Sequence, residues 1–255
     1  MPPSPLTVAI DGLKLTLTAE PLEGAAFAPF GKVVQNPNPG LNVLDASRRF
    51  LNLPFGGGFA NQGTAVKYQQ VSPVTNLYDQ APSRQVGNAA MSMFVCAARE
   101  LETGLPAKPQ DSTFRVTVLE RHPFTTQTFV PLTADPAGRY LVIVAPSLPP
   151  TAADEGFPVP ATTNEQGTPL PGRGLPDVAH LRAFIATIEQ AVTYGAGTWH
   201  APMVALGERG SAVTFVVTQF ANQVAIEDCQ EVFFASSTSG SIAVSIPAGR
   251  IVSKL

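Results

Sequence analysis

The sequence predicts a mostly β protein, a double-sheet jelly-roll barrel forming a single domain over residues 1–255, with one amphipathic helix and long loop insertions. Three observations carry that expectation. Proline occurs 25 times in 255 residues, about twice ordinary usage, which disfavours long helices and suits short strands joined by turns. Charged residues make up only 14% of the chain against 44% apolar, with 15 Phe, so there is ample material for a buried core. The apolar residues fall in short alternating or unbroken runs of strand length, separated by Gly, Pro and Asn clusters.

Leu13 to Thr18 alternates Leu with Lys or Thr and reads as an amphipathic strand. Glu23 to Phe30 reads as a short helix with Phe27 and Phe30 on one side and Gly31 as its stop. A strand follows over Lys32 to Gln35, then a turn at Asn36-Pro37-Asn38-Pro39-Gly40. Gly56-Gly57-Gly58 is a loop with no helix start after it, so it is no phosphate-binding fingerprint. Met91 to Ala97 and Phe114 to Glu120 are expected strands, and Arg139 to Ala145 is a short apolar run of the buried-strand type. Residues 146–176 are rich in Pro, Gly, Thr and Ala without apolar period, and read as a surface insertion. Val178, Leu181, Ile185, Ile188 and Val192 recur at spacings of three and four and predict the helix, capped by Asp177, with His180 on its surface side. Val213 to Thr218 is an apolar strand, and the acidic group Glu227-Asp228-Cys229-Gln230-Glu231 follows it. No internal repeat is evident. Short strands, Pro/Gly turns and polar strand ends suit a jelly roll of the cupin type, whose mouth is a common ligand position.

The formal charge is −3 with a pI near 5.6, and no Lys/Arg cluster stands out, so nucleic acid is not an expected partner. No apolar run approaches the roughly 20 residues of a membrane-spanning helix. Met1-Pro2-Pro3-Ser4-Pro5 lacks a basic region followed by an apolar one, so no secretory signal is expected. The two cysteines, Cys96 and Cys229, are expected to be buried, inert thiols. The chain ends in Ser253-Lys254-Leu255, a tripeptide read by the peroxisomal import receptor when exposed on a flexible tail, expected here over 250–255.

The segment from Thr117 to Leu132 carries the chemistry. If the strand entering it is unbroken, Phe114, Val116, Val118, Glu120 and His122 share one face, apolar at first and ending in a carboxylate and an imidazole. Pro123 then stops or bends it. Such a pair at the mouth of an apolar barrel suits proton transfer. The same pattern also describes a strand end meeting solvent.

Several segments together resemble the ureidoglycolate lyase family, in the family's order. They are Pro21-Leu22 through Phe27-Ala28-Pro29-Phe30-Gly31; Asn61-Gln62-Gly63-Thr64-Ala65 with Lys67-Tyr68; Glu120-Arg121-His122-Pro123 with Thr126-Gln127 and Phe129-Val130-Pro131; and Leu181-Arg182-Ala183-Phe184 with Tyr194 and Gly197-Thr198-Trp199-His200-Ala201-Pro202. These blocks cover about half the chain. Some bacterial members carry a second His where Ala201 stands here, so no role of that residue transfers. The resemblance implies a cupin-like β fold, a homodimer, and the elimination of urea from (S)-ureidoglycolate to give glyoxylate in allantoin breakdown.

That substrate is a hemiaminal, with a carboxylate, a hydroxyl and a ureido nitrogen on one carbon. Its cleavage needs a base for the hydroxyl proton, an acid for the leaving nitrogen and a positive or N–H-bearing seat for the carboxylate. His122 is the first choice for acid/base work and His200 the second. Glu120 orients the imidazole or acts as the base. Lys67 is the candidate for the carboxylate, with Arg121 as rival, although its opposite parity points Arg121 outward, to structure or a dimer contact. Gln127 and Asn61 are candidates for reading the urea group, while Tyr68 and Trp199 read as packing residues. No redox cofactor is needed. With three His in all and His180 off the site, no obligatory metal is expected, though His122 and His200 with Gln127 or Glu120 form a mixed set that a divalent ion could occupy. The rival readings are an amidohydrolase releasing ammonia, a metal-dependent cupin oxygenase or isomerase, and a non-catalytic binding module.

Overall fold

The computed structural model describes residues 6–46, 52–103, 110–133, 135–160 and 170–248. The terminal Ser253, Lys254 and Leu255 lie outside them. In chain order the elements are β1 (Leu6–Ala9), β2 (Lys14–Thr18), β3 (Glu20–Pro21), α1 (Gly24–Phe27), β4 (Gly31–Val34), α2 (Val43–Ala46), β5 (Gly58–Ala60), β6 (Ala65–Lys67), β7 (Asn88–Ala97), β8 (Glu102–Thr103), β9 (Ser112–Arg115), β10 (Val118–Arg121), β11 (Gln127–Pro131), β12 (Arg139–Ala145), β13 (Arg182–Thr187), β14 (Ala191–Tyr194), β15 (Trp199–His200), β16 (Val204–Leu206), β17 (Ala212–Ala221), α3 (Ala225–Asp228), β18 (Gln230–Ala235) and β19 (Ser241–Ile246).

The expected mostly β, cupin-like fold is present, built as open sheets with no closed barrel among the described residues. An eight-stranded sheet, β1-β18-β10-β15-β12-β13-β3 with β16 added on β12, is the middle layer. Its strand β12 buries Leu141, Ile143 and Ala145 in one core with Phe114, Ile242 and Val244 of the four-stranded sheet β2-β19-β9-β8. The alternate residues Tyr140, Val142 and Val144 fill a second core with Phe129, Val192 and Phe215 of the five-stranded sheet β4-β14-β11-β17-β7. Burial on both faces is why Arg139–Ala145 reads as unbroken apolar sequence rather than as alternation. Strands β5 and β6 make a separate ribbon. No helix among the described residues is long and apolar enough to cross a membrane.

Two expectations are corrected. The helix over Val178 to Val192 is instead a 3-10 turn, Val178–His180, followed by the strands β13 and β14. A spacing of four fits period two as well as 3.6. Leu181, Ala183 and Ile185 bury in the first core while Phe184 and Ala186 bury in the second. Asp177 does cap, accepting from the Ala179 amide at 3.1 Å, but over one turn only.

The strand from Phe114 to Glu120 is also broken. β9 pairs with β19 in the four-stranded sheet, whereas β10 pairs with β18 and β15 in the middle one. The chain changes sheet at Val116 and Thr117, and the change resets the phase. Phe114 and Val116 bury in the first core, but beyond the crossing it is Leu119 that does so. Glu120 and His122 therefore turn toward the five-stranded sheet, away from the apolar residues expected to share their face.

Candidate active site

Glu120 sits in the last turn of pleat of β10, with His200 of β15 directly opposite on one side and Glu231 of β18 directly opposite on the other. Cross-strand residues share a face, so these three form a row across the middle sheet. The five-stranded sheet supplies the facing wall. Tyr194 stacks on the His200 ring with centroids 3.9 Å apart and planes 12° from parallel, and Gln127 is its neighbour in register. His122 follows β10 directly, and its ring centre lies 5.5 Å from that of His200. One carboxylate oxygen of Glu120 and one ring nitrogen from each imidazole all lie within 4.8 Å of one another.

The hydrogen bonds fix the tautomers. Nδ1 of His122 faces the Asp228 carbonyl oxygen at 2.6 Å, and Nδ1 of His200 faces that of Thr198 at 2.9 Å. A carbonyl only accepts, so each Nδ1 carries a hydrogen and each Nε2 is a bare lone pair in the neutral ring. Both Nε2 atoms are buried without a hydrogen-bond partner, as is Oε1 of Gln127, whose amide donates to Gln219 at 2.6 Å. The approach of His200 Nε2 to Glu120, 3.6 Å, is too long to be a hydrogen bond. The two imidazoles and the carboxylate thus form one cluster, and buried acceptors such as their Nε2 atoms and Gln127 Oε1 are expensive to leave unpaired.

Electrostatics keeps the imidazoles neutral. Burial, reinforced by His122, pushes His200 down to about 3. Burial also lowers His122, against the opposing help of the Asp228 carbonyl and of Gln127. Burial and the like charge of Glu231 push the Glu120 carboxyl up to about 7. Glu120 is therefore the group whose proton affinity matches a near-neutral operating pH. The donor set of two unpartnered imidazole nitrogens and a carboxylate fits a divalent cation.

Glu120, His122, His200 and Gln127 are thus brought together. Arg121 is not, and it does not point outward either. It is fully buried on the opposite face, where Nε donates to Gln230, the terminal nitrogens donate to the carbonyls of Gly172, Arg173 and Gly174, and the guanidinium lies 4.3 Å from the Trp199 ring centre. Its parity was read correctly, but the second face of this sheet is core rather than solvent. With its donors spent on the chain itself, Arg121 is no seat for a substrate carboxylate. Lys67 and Asn61 stand on the β5–β6 ribbon with exposed side chains, and neither is bonded to the trio among the described residues. Trp199 packs as expected, fully buried with Nε1 donating to the Gly174 carbonyl.

Sequence reasoning missed Tyr194, Gln219 and Glu231 as parts of the site, and the carbonyls of Asp228 and Thr198 as holders of the rings. Tyr194 and Glu231 lay in segments already singled out, but only strand register ties them to Glu120. Both cysteines are free, and the Cys229 thiol reaches to 4.0 Å from Glu120.

A family described as ureidoglycolate lyase matches residues 14–240. A ureidoglycolate lyase of Schizosaccharomyces pombe is 34% identical over 229 residues, 86% of this chain and 96% of the relative. That of Saccharomyces cerevisiae is 34% identical over 197 residues, covering 76% and 80%. A bacterial counterpart from Burkholderia mallei is 30% identical over 193 residues, covering 76% and 77%.

Proposed function

The chain belongs to the ureidoglycolate lyase family, and we propose that its Glu120–His122–His200 cluster performs the elimination of urea from ureidoglycolate to give glyoxylate. The observation that carries the assignment of residues is that one Glu120 carboxylate oxygen and one ring nitrogen of each imidazole lie within 4.8 Å of one another, while both Nε2 atoms are buried without a partner. Ureidoglycolate complements it, since the hydroxyl and both ureido nitrogens are donors and the cluster offers acceptors.

The Glu120 carboxylate takes the hydroxyl proton as the C–O bond becomes the aldehyde carbonyl, the carbon–nitrogen bond breaks, and the same carboxyl returns the proton to the departing ureido nitrogen. No water is consumed and no electrons leave the substrate. The imidazoles of His122 and His200 accept from the ureido N–H groups and leave the single hydroxyl proton to Glu120, and Gln127 Oε1 accepts from the urea end. Positioned proton transfer of this kind contributes about 10²–10⁴-fold. Glu120, His122 and His200 would hold a divalent cation, which when bound supplies positive charge for the substrate's carboxylate and hydroxyl oxygens.

The test is product analysis on the purified full chain. Urea formed in step with glyoxylate, without ammonia, supports the lyase. Ammonia release points instead to an amidohydrolase. The ending Ser253-Lys254-Leu255 supports peroxisomal import, and a fluorescent fusion that stays peroxisomal without these three residues would refute it. We also assign a homodimer, tested by sedimentation.

A further inference from the structure

β7 is a ten-residue edge strand whose ladder partner, β17, covers one side only. Protein edges of that length are ordinarily guarded by Lys, Pro, a bulge or a covering element. Here the run from Val86 to Ala98 contains no charged residue and no Pro. The strand is instead strongly apolar and open to solvent. Met91, Met93 and Val95 are 76%, 62% and 69% exposed. They share the face turned away from the core, because their register partners Thr218, Val216 and Thr214 alternate with the buried Val213, Phe215 and Val217. Met93, Val216 and Val130 run in register across three strands of that outer face, and Val130 is also exposed at 39%.

We propose that β7 is the seam of the homodimer, pairing antiparallel with β7 of a second copy about a twofold axis at Met93, so that two five-stranded sheets join into one of ten strands. This deepens the dimer assignment and rests on it. A twofold axis perpendicular to a continuous sheet keeps outer faces together, so odd-numbered residues must oppose odd-numbered ones. An axis at Met93 sets Met93 against itself and Met91 against Val95 of the partner subunit, apolar on apolar along the whole stripe. A second copy is the occupant this surface fits, because it is self-complementary and carries no charge for an unlike partner to match.

The seam also reaches the site. Tyr194, Gln127, Gln219 and Ala90 form one inward-facing row, joined by register and by the Gln127–Gln219 hydrogen bond. The partner strand extends that row beyond Ala90, placing Cys96 of the partner subunit next in line.

Sedimentation of the full chain should give a dimer of 2 × 26.8 kDa. Met93→Lys combined with Val95→Lys should give a monomer with unchanged far-UV circular dichroism. In a Cys96→Ser background, Met93→Cys should oxidise to an interchain disulfide, because directly opposed strand residues have Cα atoms about 4.5–5.5 Å apart, within disulfide reach. Met91→Cys should not, its copies being offset by four residues, about 14 Å along the strand. A monomeric wild type overturns both the seam and the dimer. A double-lysine variant that stays dimeric overturns the seam and leaves the dimer, and equal cross-linking at 91 and 93 overturns the register. Urea release measured on the same preparation reports on the lyase assignment separately.

Discussion

The main-chain carbonyl of Asp228 lies 2.6 Å from Nδ1 of His122, and that contact decides which nitrogen of the ring is bare. The carbonyl is held in place by the side chain of the same residue. Oδ1 of Asp228 accepts from the Tyr78 hydroxyl at 2.7 Å and the Asn222 amide at 2.8 Å, and Oδ2 accepts from the Gln223 amide at 2.8 Å. A tyrosine from one loop and the turn before α3 thereby aim an imidazole from a third segment.

Tyr78→Phe tests this arrangement. The ring remains to fill its buried place, while the carboxylate loses a charge-assisted hydrogen bond worth roughly 1.5–3 kcal/mol. We expect an unfolding free energy lower by about that amount and a kcat reduced about ten-fold, with KM little changed. A loss of stability with unaltered kcat would mean that the Asp228 carbonyl holds the ring without help from Tyr78.

Glu120→Gln separates catalysis from stability. The variant cannot shuttle a proton, so kcat should fall by about 10²–10⁴-fold. Stability should move the other way above neutral pH. The Glu120 carboxyl is raised from 4.5 to about 7 in the folded protein, so its ionisation opposes folding. Relative to an unperturbed carboxyl the fold is favoured below pH 4.5, and that advantage is lost as pH rises to 7. At pH 8 the glutamine variant should therefore be the more stable by on the order of 3 kcal/mol, read from urea denaturation. His122→Ala should lose turnover as severely with its fold intact, and wild-type-like turnover in the folded alanine variant would take His122 out of the mechanism.

How much of this was legible in the sequence follows from the range of the signals. Glu120 and His122 share a face because they are two residues apart, and local parity delivers that. His200 faces them because β15 pairs with β10 across 80 residues of chain, which no local pattern encodes; only the family motifs brought it into the reading. Parity also placed Arg121 on the other face, but the sheet is covered on both sides, and a single sequence does not say whether a second core lies there. Leu181 and Ile185 satisfied a helical period because a spacing of four is common to helix and strand. Proline and glycine punctuation, by contrast, acts within a few residues, and it placed β2, β4 and β7 with small errors in their ends.

Glu231 sets the working pH. It stands directly opposite Glu120 on β18 and, after burial, is the cause that raises the Glu120 carboxyl. Removing that negative charge makes ionisation of Glu120 easier. If the carboxylate form starts the reaction, activity rises with pH through about 7 in the wild type. In Glu231→Gln the acid limb of the kcat profile should move to lower pH, leaving more activity at pH 5–6. Glu231 is exposed and outside the trio, so the plateau rate should change little. A shift to higher pH, or none, would show that the limb belongs to another group.

Arg121 should prove structural. Its guanidinium, though lowered by burial to about 9, is charged at neutral pH and satisfies the carbonyls of Gly172, Arg173 and Gly174 together with Gln230. Truncation would orphan those acceptors and open a void beside Trp199. Arg121→Leu should cost about 3 kcal/mol or more in unfolding free energy. Arg121→Lys, which keeps the charge but loses the fork, should recover only part of it, since one ammonium cannot span four acceptors spread around a planar group. In whatever fraction of either variant remains folded, KM for ureidoglycolate should stay near the wild-type value, because the guanidinium lies on the face of the middle sheet opposite the Glu120–His200 row. A KM raised a hundred-fold in folded Arg121→Lys would instead make this side chain the carboxylate seat.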